Sequence, residues 1–172
     1  MNFSIARIIR RLWSPQHEIS CSWLLWQRLV AQLRERGRAA SRESGAFLLG
    51  YREDGRARIV DFILYDDLDP HALDTGIVRF DGRHFGKLWD ICKRRNLSVV
   101  ADVHVHPGGA GQSDSDRAHP MISRTGHIAL ILPGFARPPV RTEAIGIYRY
   151  LGNKTWDAVA PQARRDFLHI GV

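Results

Sequence analysis

Two apolar runs, Ser44–Arg52 and Ala57–Tyr65, flank the tetrapeptide Glu53-Asp54-Gly55-Arg56. Asp-Gly supplies two adjacent residues that tolerate positive φ, the backbone required by the tight turns whose twist matches that of paired strands. An antiparallel hairpin is therefore predicted here, and any fold for this chain must be built onto it. Upstream, Ser22 is a candidate N-cap for a helix running through WLLWQRLVAQLRER to Gly37. Trp23, Trp26, Leu29, Val30 and Leu33 form its apolar stripe, and both tryptophans are expected in the core.

Downstream, Asp66–Thr75 is polar and reads as a surface loop, and Gly76–Phe80 reads as a short strand. Phe80–Asn96 spaces Phe85, Leu88, Trp89 and Cys92 at helical intervals. Strands are expected at Leu97–Val105, His127–Leu132 and Ala144–Tyr150, and a short helix at Ala160–Phe167. With no repeat and no dividing linker, residues 1–172 are expected to form one α+β domain with a central mixed or antiparallel sheet. Residues 3–13 interleave Phe3, Ile5, Ile8, Ile9 and Leu12 with arginines, so residues 1–20 read as an amphipathic docking segment of that domain.

A hydrophobic fraction of 44% against 25% charged residues argues for a packed core instead of disorder. No apolar run approaches the roughly 18 residues that span a bilayer. The N-terminus mixes basic with apolar residues and makes a poor secretory signal. Cys21 and Cys92 are too few and too distant for a disulfide scaffold, which fits a reduced, cytoplasmic setting. The net charge of +7 favours acidic partners. The densest basic runs, Arg10-Arg11 and Lys93-Arg94-Arg95, are short, so a solvated basic face is expected, without specific nucleic-acid recognition.

The chemistry centres on Val103-His104-Val105-His106-Pro107. On a strand, His104 and His106 share one face while Val103 and Val105 point into the opposite layer, so both imidazoles can reach one cation. Ser113-Asp114-Ser115-Asp116 reads as a helix start, and a glycine-rich loop can bring Asp116 back to complete a His/His/Asp set. Three protein ligands and one open position are what a catalytic zinc centre needs, the open position holding the water to be activated. Glu43, at the rim of the first core strand, is the candidate general base. Each piece alone has a plain structural alternative, since a His-x-His pair also occurs on surfaces and in cores. Asp102 shares the His104 face and is a candidate for orienting an imidazole. His84, His119, His127 and His169 are expected to pack or to lie at the surface, and Cys92 to sit in the core.

Taken together, Glu43 before Ser44-Gly45-Ala46-Phe47-Leu48-Leu49-Gly50, then His104-Val105-His106-Pro107, then Ser113 through Asp116, resemble the signature of the JAMM (MPN-plus, JAB domain) metalloproteases. The resemblance spans Glu43 to Asp116. It implies an MPN fold with zinc at the sheet edge, held by His104, His106 and Asp116, with Glu43 as catalytic base. It also implies that Ser113 stabilises the oxyanion, although Ser113 reads equally as a helix N-cap. One departure is that nine residues separate His106 from Asp116 where the family usually has ten, which leaves Asp114 as an alternative ligand. The family's activity implies cleavage after the C-terminal tail of a ubiquitin-like protein, in precursors or conjugates. The phrase HPGGAGQSDSDRAHPMI is similar to the bacterial branch, some of whose members belong to antiphage conjugation systems. Two alternatives stay open, a zinc hydrolase of small amide or amino-acid conjugates and a non-catalytic scaffold. The complete ligand set argues against the scaffold.

Overall fold

A computed structural model describes residues 17–37 and 41–171, so the amphipathic segment at 3–13 lies outside the described residues. Strand β1 (Ile19–Ser22) runs directly into helix α1 (Trp23–Arg36), whose N-cap Ser22 accepts the Leu25 N–H on its hydroxyl. The hairpin follows as β2 (Gly45–Glu53) and β3 (Arg56–Leu64). Its turn places Asp54 at φ 51° and Gly55 at φ 79°, the paired left-handed backbone that Asp-Gly makes affordable. A single-turn helix, α2 (Tyr65–Leu68), leads through a long connection to α3 (Phe85–Arg95). Then come β4 (Ser98–Val105), the short α4 (Asp114–Ala118), β5 (Ile128–Leu132), β6 (Gly146–Gly152) and β7 (Thr155–Ala158). The chain closes with α5 (Arg164–Phe167) and β8 (Leu168–Gly171).

The eight strands form one sheet in the order β7-β6-β5-β4-β2-β3-β1-β8. It is mixed: β4 runs parallel to β5, β1 runs parallel to β3 and β8, and the remaining pairs are antiparallel. Each face carries its own core. Alternation on β2 sends Ala46 and Leu48 towards Trp26, Leu29, Val30 and Leu33 of α1, and Phe47 and Leu49 towards Tyr65, Leu73 and Leu88 on the other side. Coverage on both faces explains why β5 reads as an unbroken apolar run, all five residues being buried. The α+β class with a mixed sheet is as expected. No helix among the described residues is long and apolar enough to cross a membrane.

Several local expectations need correction. Gly76–Phe80 is not a strand, because the Val78 N–H goes to Glu43 and the Arg79 N–H to the Ala72 carbonyl, leaving no ladder to join. The supposed surface loop at 66–75 opens with the end of α2 and buries Leu68, Ala72 and Leu73. It is tied inward by the buried Asp69 carboxylate, which accepts N–H bonds from His71 and Asp81. Trp26 is buried as expected, but Trp23, at the first helical position, is 53% exposed. The helix expected at 160–167 divides into a 3-10 turn at 161–163 and α5. The centre of β4 is paired on both sides, so the ligand-bearing strand is interior and its histidines stand at the strand's end, not at a lateral edge of the sheet.

Candidate metal centre

His104 and His106 leave the C-terminal end of β4 on one face, while Val103 and Val105 enter the core against α1. Backbone bonds fix their position. The Val105 N–H donates to Ser44 O, the His106 N–H to Leu132 O, and the Phe135 N–H returns to His106 O. After Pro107 the glycine-rich loop turns back across β6. There the Tyr148 hydroxyl donates to Ala110 O at 2.7 Å. Gly146 lies beneath that carbonyl, and a Cβ at this position would stand 2.0 Å from it, so the loop can seat only over glycine.

The loop delivers α4, whose first turn is closed by a capping box. Ser113 Oγ accepts the Asp116 N–H at 3.1 Å and donates to Asp116 Oδ2 at 2.8 Å, while the Ser113 N–H donates to the same oxygen at 2.7 Å. The carboxylate is thereby aimed at the two imidazoles. His104 Nε2 lies 2.9 Å from His106 Nε2, Asp116 Oδ1 3.4 Å from His104 Nε2, and Asp116 Oδ2 3.3 Å from His106 Nε2. The two Asp116 distances run to different carboxylate oxygens. With one ligand atom taken from each residue, the three atoms all lie within 4.8 Å of one another, close enough for a single ion bound at about 2.0–2.1 Å to draw them together with small side-chain adjustments. Among the described residues it is the one group of this kind able to hold a metal ion. Asp114, the alternative ligand, is 99% exposed and paired with Arg117, so the shortened loop still presents Asp116.

Electrostatics agree with the geometry. Burial pushes the Asp116 carboxyl up, but hydrogen bonds from His104 and His106 outweigh it and hold the group well below the usual carboxylate range. The same bond to Asp116 raises the His106 pKa, opposed by burial and helped by the negative charges of Asp116 and Glu43. Glu43 stands just before β2, with Oε1 3.8 Å from His106 Nε2 and Oε2 accepting the Val78 N–H at 3.2 Å. Residues far apart in the chain are thus brought to one point, with Glu43 beside the trio and Ser113 behind it.

Asp102 does not orient His104. Although on the same face and 1% exposed, its carboxylate lies 2.6 Å from His127 Nε2 and accepts the Tyr65 hydroxyl at 3.2 Å. His104 Nδ1 has no hydrogen-bond partner among the described residues. His127, expected to pack, is the buried partner of Asp102, and burial together with that carboxylate pushes the Tyr65 hydroxyl pKa up. Two supporting features escaped the sequence reading, the Tyr148–Gly146 clasp on the loop and the Val78 N–H that holds Glu43. A glycine inside an apolar strand was the available signal for the first. Nothing local marks the second.

No family model matches the chain. A probable metalloprotease of Sinorhizobium fredii is 26% identical over 129 residues, which cover 75% of this chain and 79% of that protein. The fold is similar to the solution structure of a protein from Desulfitobacterium hafniense, with a TM-score of 0.61 over 83% of this chain and 90% of that one. At 16% identity this second likeness concerns the fold alone.

Proposed function

We propose that this chain is a zinc-dependent peptidase of the JAMM (MPN-plus) type, with His104, His106 and Asp116 as metal ligands and Glu43 as general base. The observation that carries it is the convergence of those three side chains, their ligand atoms all within 4.8 Å of one another, with the Glu43 carboxylate alongside. The similarity to a probable metalloprotease supports the metallopeptidase part of this reading. The sequence signature from Glu43 to Asp116 supports the JAMM type and the MPN fold.

Zinc at this site would supply Lewis-acid activation of water, bringing its pKa to roughly 7. The two imidazoles and Asp116 are pre-aimed by β4 and the capping box, so little reorganisation is needed to bind. Glu43 takes the proton from the attacking water and returns it to the leaving nitrogen, a role its position beside His106 allows and its bond from Val78 steadies. Ser113 holds Asp116 in place, and an oxyanion role would require its hydroxyl to leave Asp116 Oδ2.

The substrate we propose is the C-terminal tail of a ubiquitin-like protein, cleaved in a precursor or a conjugate. Gly108 and Gly109 have open space where a Cβ would stand, so an extended tail can approach the backbone of this loop closely. The net charge of +7 favours an acidic partner and would speed its encounter. Strand addition onto β4 itself is closed off by β2 and β5, which leaves the loop as the pairing surface. The test is a ubiquitin-like protein fused at its tail to a reporter. Cleavage at the junction by the zinc-loaded chain, lost in Glu43→Gln by about 10²-fold or more, is the expected result. An intact fusion, with small amino-acid conjugates hydrolysed instead, would replace this substrate by the small-amide one.

A further inference from the structure

Beside the metal centre lies a cavity of about 370 Å³ that the mechanism leaves unused. Its walls include Val78, Phe80 and Phe85 on one side, Pro120 and Met121 on the other, and Asp116 where it meets the centre. Val78, Phe80, Phe85 and Met121 pack on the second core yet remain only partly buried, so apolar surface is left uncovered next to the reacting groups. Phe80 and Phe85 are in contact, their centroids 5.1 Å apart, which gives the pocket a firm aromatic side. Its rim carries Arg79 and His119.

We infer that this cavity is a specificity pocket for a bulky apolar side chain, branched or aromatic, on the residue that follows the scissile bond. The inference rests on the peptidase reading and adds which substrates it selects. The side follows from proton bookkeeping. Glu43 returns its proton to the leaving nitrogen, so that nitrogen must stand on the Glu43 side of the ligand trio. The pocket opens on that side, because Val78 both holds the Glu43 carboxylate through its N–H and lines the cavity. At about 370 Å³ the cavity has room for one large side chain, and its apolar walls make burial of a lysine ammonium costly. The cation at the rim further disfavours a basic side chain, and the apolar walls disfavour an acidic one. Peptide bonds to the α-amine of leucine- or phenylalanine-like residues are therefore preferred over bonds to lysine.

The test uses the full zinc-loaded chain and peptides that share a Gly-Gly acyl segment and carry Gly, Ala, Leu, Phe, Asp or Lys after the scissile bond. kcat/KM for Phe and Leu should exceed that for Gly and Lys by about 10-fold or more, the usual worth of filling an apolar pocket. Binding gives a readout independent of turnover. The sequence has two methionines, Met1 and Met121, so methyl-labelled methionine yields a simple spectrum. Phenylalanine amide, the amine product, should shift the Met121 methyl saturably, and glycine amide should not. Cleavage indifferent to the following residue, or an unmoved Met121 signal, overturns the pocket assignment and leaves the peptidase reading intact. If neither these peptides nor the ubiquitin-like fusion is cut although zinc is bound, the peptidase reading fails, and the Met121 signal, read without turnover, still decides the pocket assignment: an unmoved signal overturns it. In Met121→Arg the Phe preference should collapse, and a preference that survives in the folded variant also overturns the assignment.

Discussion

Replacing Ser113 by alanine separates the two roles open to that residue. The side chain makes two bonds to Asp116, accepting its N–H at 3.1 Å and donating to Oδ2 at 2.8 Å. Losing a serine N-cap costs about 1 kcal/mol, and losing a hydrogen bond to a charged group about 1.5–3 kcal/mol. The two terms overlap, and the Ser113 N–H keeps its own 2.7 Å bond to Oδ2, so the low end applies. A net loss of about 2 kcal/mol in holding the Asp116 carboxylate corresponds to roughly 30-fold weaker metal binding. That agrees with the roughly 10- to 100-fold expected when a group supporting a metal ligand is removed. Zinc affinity is measured by titrating the apo-protein against a competing chelator, alongside single-turnover cleavage at saturating zinc. If Ser113→Ala binds zinc within about twofold of the parent while turnover falls by the 10²–10³ typical of a lost oxyanion donor, the positioning role is refuted.

Three further outcomes are expected. The parent should bind one zinc per chain and the His104→Ala/His106→Ala double variant none, so full zinc in the double variant would remove these residues from the site. Gly146→Ala places a Cβ 2.0 Å from Ala110 O and must push the 107–112 loop off β6. Zinc affinity should fall by about tenfold or more, with about 1–3 kcal/mol of stability lost to overpacking, and unchanged zinc affinity would refute the clasp. Asp69 is pushed up by burial, but N–H bonds from Asp81 and His71 outweigh this and hold its carboxyl below the ordinary value. A depressed native pKa stabilises the fold above the unfolded value near 4, and that contribution disappears as pH falls through the native value. The urea-midpoint gap between the parent and Asp69→Asn should therefore be largest above about pH 5 and shrink on acidification, and a constant gap down to pH 3 would refute it.

What the sequence determined by itself is what short-range periodicity encodes. Asp54-Gly55 marked the hairpin turn because few residues accept two consecutive positive φ angles. Period-two alternation in Val103-His104-Val105-His106 put both imidazoles on one face, as the structure has them. Ser113 three residues before Asp116 announced a helix start for the same local reason. Only the tertiary structure decided what those groups meet. The 3.8 Å approach of Glu43 to His106 depends on β2 and β4 lying side by side, a pairing across more than fifty residues of chain. Asp102 shares the His104 face, yet its carboxylate is taken by His127 and Tyr65, from elements that no local pattern ties to it. Strands β1 and β8 have only four residues each, too few for alternation to show; β1 exists through its parallel pairing with both β3 and β8, and β8 through its pairing with β1. Periodicity records which side of an element is apolar. Which element then covers that side is set by the packing of the whole chain, and that is where the meeting of Glu43 with His106, the clasped loop and the apolar pocket were decided.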